Sequence, residues 1–337
     1  MKPYINVDLL SQSLRRRTVD TVNKKIRLAK ISGSKQENDI ISPVNCNGFG
    51  RIHHFQFNRF DEWPVDPLPM APAAKYLDIT PIQDMTAEVF QLASCNFRCW
   101  YCFVPYSLLS PNYNNSEWKS CEELVSMYSN ISLSQRPKII DCSGGHPELA
   151  PEWIPWMMEA LINQEMASST FLWSDDNLST DFMWRYLTDD QLELIASYPG
   201  YARVACFKGF DYESFSYNTS ASPELYDRQF DLFSRLLDLQ IDLYAYVTFT
   251  SKPLSNITDK INLFIDRLQS IDPMLPLRTV PIKILPFGVT LTRVSDLFMK
   301  EADKWQTIAM RAWVDELQKR FSSQDLSLNI SEVRFSG

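Results

Sequence analysis

From residue 86 onward the chain alternates short runs of β-branched and aromatic residues with longer stretches whose apolar positions recur every three to four residues. The short runs predict strands over 86–92, 138–142, 170–174, 202–207, 242–249 and 278–285. The amphipathic stretches predict helices over 116–129, 151–166, 188–197, 222–239, 258–270 and 301–321. One of them shows the signals well. Ser222 can cap, Pro223 sits in the first turn, and Leu225, Phe230, Phe233, Leu236 and Leu237 share one apolar face. Regular strand–helix alternation implies an α/β fold with a parallel sheet and right-handed crossovers.

Residues 1–85 do not join the alternation. They read as a basic, helical arm to about residue 32, then a Pro- and aromatic-rich extension holding Asn47-Gly-Phe-Gly-Arg-Ile-His-His54. Frequent prolines between Pro64 and Pro81 suggest an extended connection laid over the body. His53 and His54 could serve substrate binding or proton transfer, but two histidines in an aromatic segment read more plainly as packed and hydrogen-bonded. Three regions are therefore expected: the extension at 1–85, the alternating body at 86–290 and a C-terminal helical segment at 291–337.

With 337 residues, 45% hydrophobic and 22% charged, the chain can bury a large core, which rules out wholesale disorder. No apolar run approaches the roughly 18 residues of a membrane helix. The start, MKPYINVDLLSQSLRRR, has no secretory pattern, so a soluble, cytoplasmic protein without a membrane partner is expected. The net charge of −8 argues against a general nucleic-acid binder. Residues 1–36 alone carry +7, leaving −15 on the remainder. The plain reading is a solvated helix resting on an acidic body; the sharper one is an arm that recruits an acidic partner.

The seven cysteines are an odd number, poor material for a disulfide framework. Three fall in Ser94-Cys-Asn-Phe-Arg-Cys-Trp-Tyr-Cys102, a C-x3-C-x2-C spacing. A structural zinc site or an ordinary ferredoxin-type cluster would each want four ligands. Three thiolates on a cubane leave one iron open, as a catalytic site requires. Cys121, Cys142 and Cys206 read as core packing. Glycine is scarce, nine in all, and the only adjacent pair stands in Asp141-Cys-Ser-Gly-Gly-His-Pro-Glu148, where a strand runs into a turn. Two further strand ends are polar: Ser174-Asp-Asp-Asn177, and Lys208 before a glycine.

The loop of Cys95, Cys99 and Cys102, with Tyr101 before the last cysteine, resembles the cluster-binding loop of the radical S-adenosylmethionine (radical SAM) superfamily, in a short form without an auxiliary-cluster domain. The resemblance spans about residues 86–288 and implies an incomplete (β/α)6 TIM-like barrel with an N-terminal extension and a C-terminal helix. It implies a [4Fe–4S] cluster on the three thiolates, with S-adenosylmethionine chelating the fourth iron through its amino and carboxylate groups, and Tyr101 near the adenine. Ser143, Gly144 and Gly145 resemble the motif that receives the methionine amino group, with His146 standing where Glu is usual. Ser174, Asp176 and Asn177 resemble the ribose-binding strand end, although such residues also cap helices and form turns. Lys208 resembles a lysine that meets the methionine carboxylate, where a charge-assisted donor suits a desolvated anion.

The resemblance implies reductive cleavage of S-adenosylmethionine to a 5′-deoxyadenosyl radical, which abstracts hydrogen from a substrate. Candidates for the chemistry that follows are His146, Asp141 and Tyr246. A laterally open barrel favours a peptide or protein segment as substrate, modified by C–C or C–H chemistry such as splicing or crosslinking. An electron donor and a separate peptide-recognition protein are the implied partners. The alternatives are a glycyl-radical-enzyme activase, an RNA-modifying relative resting on the basic arm, and a zinc-binding interaction module with Cys142 or His146 as fourth ligand. If the loop holds the cluster, Cys99→Ala abolishes 5′-deoxyadenosine formation, whereas Cys46→Ala and Cys121→Ala keep the iron and sulfide content of the parent chain. Wild-type cleavage in Cys99→Ala would overturn the assignment.

Overall fold

The computed structural model describes residues 3–55, 63–80 and 85–336. Lys2 and Pro81, counted above with the arm and the connection, lie outside the described residues. The strands are β1 (Val19–Asp20), β2 (Lys25–Ala29), β3 (Gly50–His54), β4 (Thr86–Gln91), β5 (Ser116–Ser120), β6 (Ile139–Ser143), β7 (Phe171–Asp176), β8 (Tyr201–Phe207), β9 (Asp242–Thr248) and β10 (Thr279–Ile282). Seven of them form one sheet in the order β10-β9-β8-β7-β6-β4-β3. The six from β4 to β10 run parallel, as the alternation predicts, and β3 joins antiparallel to β4. The spatial order follows the chain order, the arrangement of a (β/α) barrel left open. Among the described residues β10 and β3 do not pair with each other.

The helices are α1 (Val7–Thr18), α2 (Met70–Leu77), α3 (Cys121–Ser129), α4 (Trp153–Asn163), α5 (Phe182–Tyr186), α6 (Asp189–Ser197), α7 (Tyr212–Thr219), α8 (Tyr226–Leu237), α9 (Ile257–Ile271), α10 (Gly288–Leu291), α11 (Asp296–Arg320) and α12 (Ser323–Leu326). None is long and apolar enough to cross a membrane. Side chains alternate across the parallel strands. Val89, Ile139, Trp173, Val204 and Tyr244 build a core on the inner face, while Phe90, Ile140, Leu172, Phe207 and Val247 pack outward against the helices. The outer layer is aromatic: Phe207 stacks on Phe233 and meets Phe230 and Phe264, and Trp313 of α11 closes over Phe249 and Phe264. One expected helix is corrected. Residues 116–120 form β5, antiparallel to β2, and the helix starts only at Cys121, where Ser120 and Glu123 cap each other reciprocally.

The basic segment is also corrected, because it is built into the body. In α1, Val7, Ser11, Leu14, Arg15 and Thr18 form a buried face at helical spacing. Arg15, 9% exposed, makes a bidentate pair with Glu152 and stacks on Tyr186. After α1 the chain forms a hairpin whose second strand, β2, pairs with β5. Removing residues 1–36 would therefore strip a helix face and the central strand of the small sheet. Arg15→Ala leaves a buried carboxylate without its partner, so urea unfolding should show a loss of about 3–5 kcal/mol. A loss under about 1 kcal/mol would show the pair to be solvated.

Candidate active site

Period two carries the inner face of each strand onward to a polar end. Ile139 is followed on that face by Asp141 and Ser143, Trp173 by Asp175 and Asn177, Val204 by Cys206 and Lys208, and Tyr244 by Tyr246. These ends line a cavity of about 450 Å³ at the C-terminal side of the sheet. Cys95, Cys99, Tyr101 and Cys102 form another wall, and Gly144 and Gly145 complete it. The structure thus brings the three loop cysteines, Tyr101, Ser143, Gly144, Gly145, Asn177, Lys208, Asp141 and Tyr246 to one place.

The cysteine loop is held by side chains that do not carry the motif. Arg98 donates to the carbonyls of Cys95 and Phe97 at 2.6 and 2.8 Å, and Tyr106 donates to those of Arg98 and Cys99 at 3.0 Å. Arg293, from the segment before α11, donates to the carbonyls of Cys102 and Val104 and stacks on Tyr106. The Tyr101 hydroxyl lies 3.1 Å from Thr248 Oγ1 on β9, which ties the loop to the sheet. Gly144 has φ +79°, and a Cβ on Gly145 would lie 2.3 Å from the Ser94 carbonyl oxygen and 2.4 Å from that of Leu92. The glycine pair is thereby explained: it lets the turn after β6 slide beneath the start of the cysteine loop.

Burial governs the charges that face the cavity. Asp66 and Asp175 are pushed up to about 6 by desolvation, and Asp141 is held well above the usual carboxylate range by burial and then by the nearby Asp175. His53 is pushed down to about 4 by burial and by Arg51. Burial disfavours the Lys208 ammonium, yet Cys206, Tyr101, Cys99 and Asp175 around it hold its pKa well above that of an ordinary lysine. Asp66 accepts from Tyr246 Oη at 2.8 Å and from the Leu68 amide at 2.9 Å. Asp141 Oδ1 and Arg51 Nε are buried without a partner, so the cavity wall carries both an acceptor and a donor unused by the protein.

Ser174, Asp176 and His146 point elsewhere, because they lie in the opposite strand phase or beneath the turn. Ser174 Oγ is 2.8 Å from Tyr201 Oη. Asp176 pairs with buried Arg203, which also binds Glu148, and its Oδ1 accepts the amide of Leu178, a residue in the left-handed region at φ +54°. Asp176 is therefore a turn former, and Asp175 is the aspartate that faces the cavity. His146 is fully buried, 3.1 Å from Ser179 Oγ. Cys206, expected in the core, lines the cavity instead. Arg51, Asp66 and Arg293 went unread as site residues, since they come from outside the strand–helix alternation, and His53, read chiefly as packed, also lines the cavity. For Asp175 a signal did exist, the two-residue step from Trp173.

The thiols of Cys95, Cys99 and Cys102 line one cavity and would fit a cluster, whose irons stand at separate corners. The fourth ligands named for zinc are not at hand: Cys142 packs in the outer core and His146 is engaged with Ser179.

No protein-family model and no curated protein matches the chain. Among solved structures it is similar to Streptococcus suis SuiB bound to S-adenosylmethionine, at 15% identity and TM-score 0.45, over 68% of this chain and 47% of that one. SuiB bound to the precursor peptide SuiA aligns at 14% identity and TM-score 0.37, over 54% and 36%. The protein anSMEcpe with bound AdoMet and Cp18Cys peptide aligns at 14% identity and TM-score 0.41, over 59% and 51%. The chain spans about half or less of each of these proteins.

The Tyr246 hydroxyl favours the ionised form of Asp66, so Tyr246→Phe should move the Asp66 titration upward from about 6. Carboxyl-carbon NMR resolves it; an unchanged or lower midpoint would mean that the hydrogen bond does not form in solution.

Proposed function

We propose that this chain is a radical SAM enzyme that modifies a peptide or protein segment. The observation that carries the reading is the meeting of three thiols from a C-x3-C-x2-C loop with a glycine turn and a buried lysine at the C-terminal end of an open parallel sheet. Cys95, Cys99 and Cys102 would hold a [4Fe–4S] cluster, and S-adenosylmethionine would lie against Tyr101, Ser143, Gly144, Gly145, Asn177 and Lys208. When bound, these groups supply a one-electron cleavage of the sulfonium and abstraction of a hydrogen atom from an unactivated carbon.

The protein's own share is binding, orientation and exclusion of water. Lys208, desolvated and held charged, offers an ammonium to a carboxylate. The Ser143 carbonyl already accepts from the Leu92 amide at 3.0 Å, leaving one lone pair for a ligand ammonium. Asp66 and Asp175, near 6, can hold or give up a proton close to neutral pH, and Tyr246 fixes the first of them. Among the described residues β10 and β3 do not pair with each other, and an open sheet supports a large substrate. Two of the basic segment's charges are already paired within the chain, Arg15 with Glu152 and Lys24 with Glu159, which weakens the case for nucleic acid.

Anaerobic reconstitution with iron and sulfide, followed by chemical reduction in the presence of S-adenosylmethionine, tests the reading. About four irons per chain and reduction-dependent 5′-deoxyadenosine are expected. Zinc uptake with no iron would overturn it.

A further inference from the structure

Asn96, the residue after Cys95, is fully buried at the centre of a hydrogen-bonded cluster drawn from distant parts of the chain. Its Nδ2 donates to Ser11 Oγ of α1 at 2.9 Å and to Ser179 Oγ at 2.7 Å. Its Oδ1 accepts from Asn177 Nδ2 at 2.9 Å. That same Asn177 nitrogen donates to Cys95 Sγ at 3.9 Å, and Asn177 Oδ1 accepts from Ser179. Ser11 passes its own proton to the Val7 carbonyl at 2.6 Å.

The donor and acceptor count sets the directions. Ser179 has one hydrogen and two lone pairs. Its hydrogen goes to Asn177 Oδ1, which can only accept, and one lone pair receives Asn96. His146 Nε2, 3.1 Å away, can face the remaining lone pair only if it carries a hydrogen, which also lies toward the Thr180 hydroxyl oxygen at 3.4 Å. His146 is therefore the neutral Nε2–H tautomer. Every N–H and O–H on the side chains of Ser11, Asn96, His146, Asn177 and Ser179 then has an acceptor, and His146 Nδ1 is the one polar atom without a partner. The chain of donors runs from His146 through Ser179 and Asn177 to the sulfur of Cys95.

We propose that His146, Ser179, Asn177 and Asn96, braced by Ser11 of α1, are positioning residues that aim the Cys95 sulfur into the cavity, with His146 as the donor that sets the polarity of the whole cluster. The proposal rests on the functional reading above for the purpose of that aim. An ionised carboxylate at position 146 could only accept and would leave Ser179 facing a lone pair. A glutamine can place an amide N–H there.

The test uses the full chain and the variants His146→Gln, His146→Glu, Ser179→Ala and Asn177→Asp. In the metal-free protein, the rate at which iodoacetamide alkylates Cys95 is measured against Cys102 of the same chain by peptide mass spectrometry. His146→Gln should keep the parent ratio, while the other three, which weaken or remove the N–H donor to the Cys95 sulfur, lower it about fivefold, the equivalent of one hydrogen bond. Equal ratios in all variants, or equal falls in His146→Gln and His146→Glu, would overturn the proposal. Ser179→Ala and Asn177→Asp keep the test decisive if the buried glutamate prevents folding, which a thermal melt reports. In the reconstituted chain, loss of the N–H···S donor in Asn177→Asp should lower the cluster's midpoint potential; an unchanged potential counts against the proposal. A parent chain that takes up no iron overturns the functional reading, while the alkylation ratio still decides whether these residues position Cys95.

Discussion

The site depends on the close approach of two backbone turns. Gly145 lies against the carbonyls of Leu92 and Ser94, and the amide of His146 donates to Ser94 at 2.7 Å. Because β4 and β6 are parallel neighbours, their C-terminal ends emerge side by side, and the turns after them must share the same space. A side chain at 145 would meet backbone that cannot swing away, so the turns would separate and carry Cys95 with them. The height of the cysteine loop above Lys208, Asp175 and Tyr246 follows from this contact.

Buried charge is divided between the two sides of the sheet, with different outcomes. On the outer side Arg203 is enclosed by Glu148, Asp176 and Tyr201, one guanidinium nitrogen aside, and the group holds the turn after β7. On the inner side Arg51, Asp66, Asp141, Asp175 and Lys208 face open space, and two of their buried polar atoms have no partner. Such atoms each cost about 1–3 kcal/mol. A fold tolerates that cost more readily where a bound ligand can relieve it.

The cysteine loop draws its support from segments outside the strand–helix alternation. Ser11 and Thr18 of α1 bond to Asn96 and Ser94, on either side of Cys95, and Arg293 clasps the carbonyls of Cys102 and Val104. A short loop rich in potential metal ligands has little core of its own. Its shape must be imposed from outside, and the two ends of the chain supply that constraint.

Much of this was legible in the chain itself. Hydrophobic periodicity marked all six parallel strands to within one to three residues, because a buried strand and an amphipathic helix impose different repeats on neighbouring positions. Cysteine spacing and the glycine pair pointed to the site for the same reason: both are local constraints written into adjacent residues. What adjacency could not show is which of two consecutive polar residues faces inward. Asp175 rather than Asp176 reaches the cavity, since the phase of β7 is set by its pairing with β6 and β8. Nor could it show that a basic N-terminal helix is buried against Glu152, or that Arg51, Asp66 and Arg293 complete the site. Those contacts join residues far apart in the chain, and only the packed structure brings them within reach of one another.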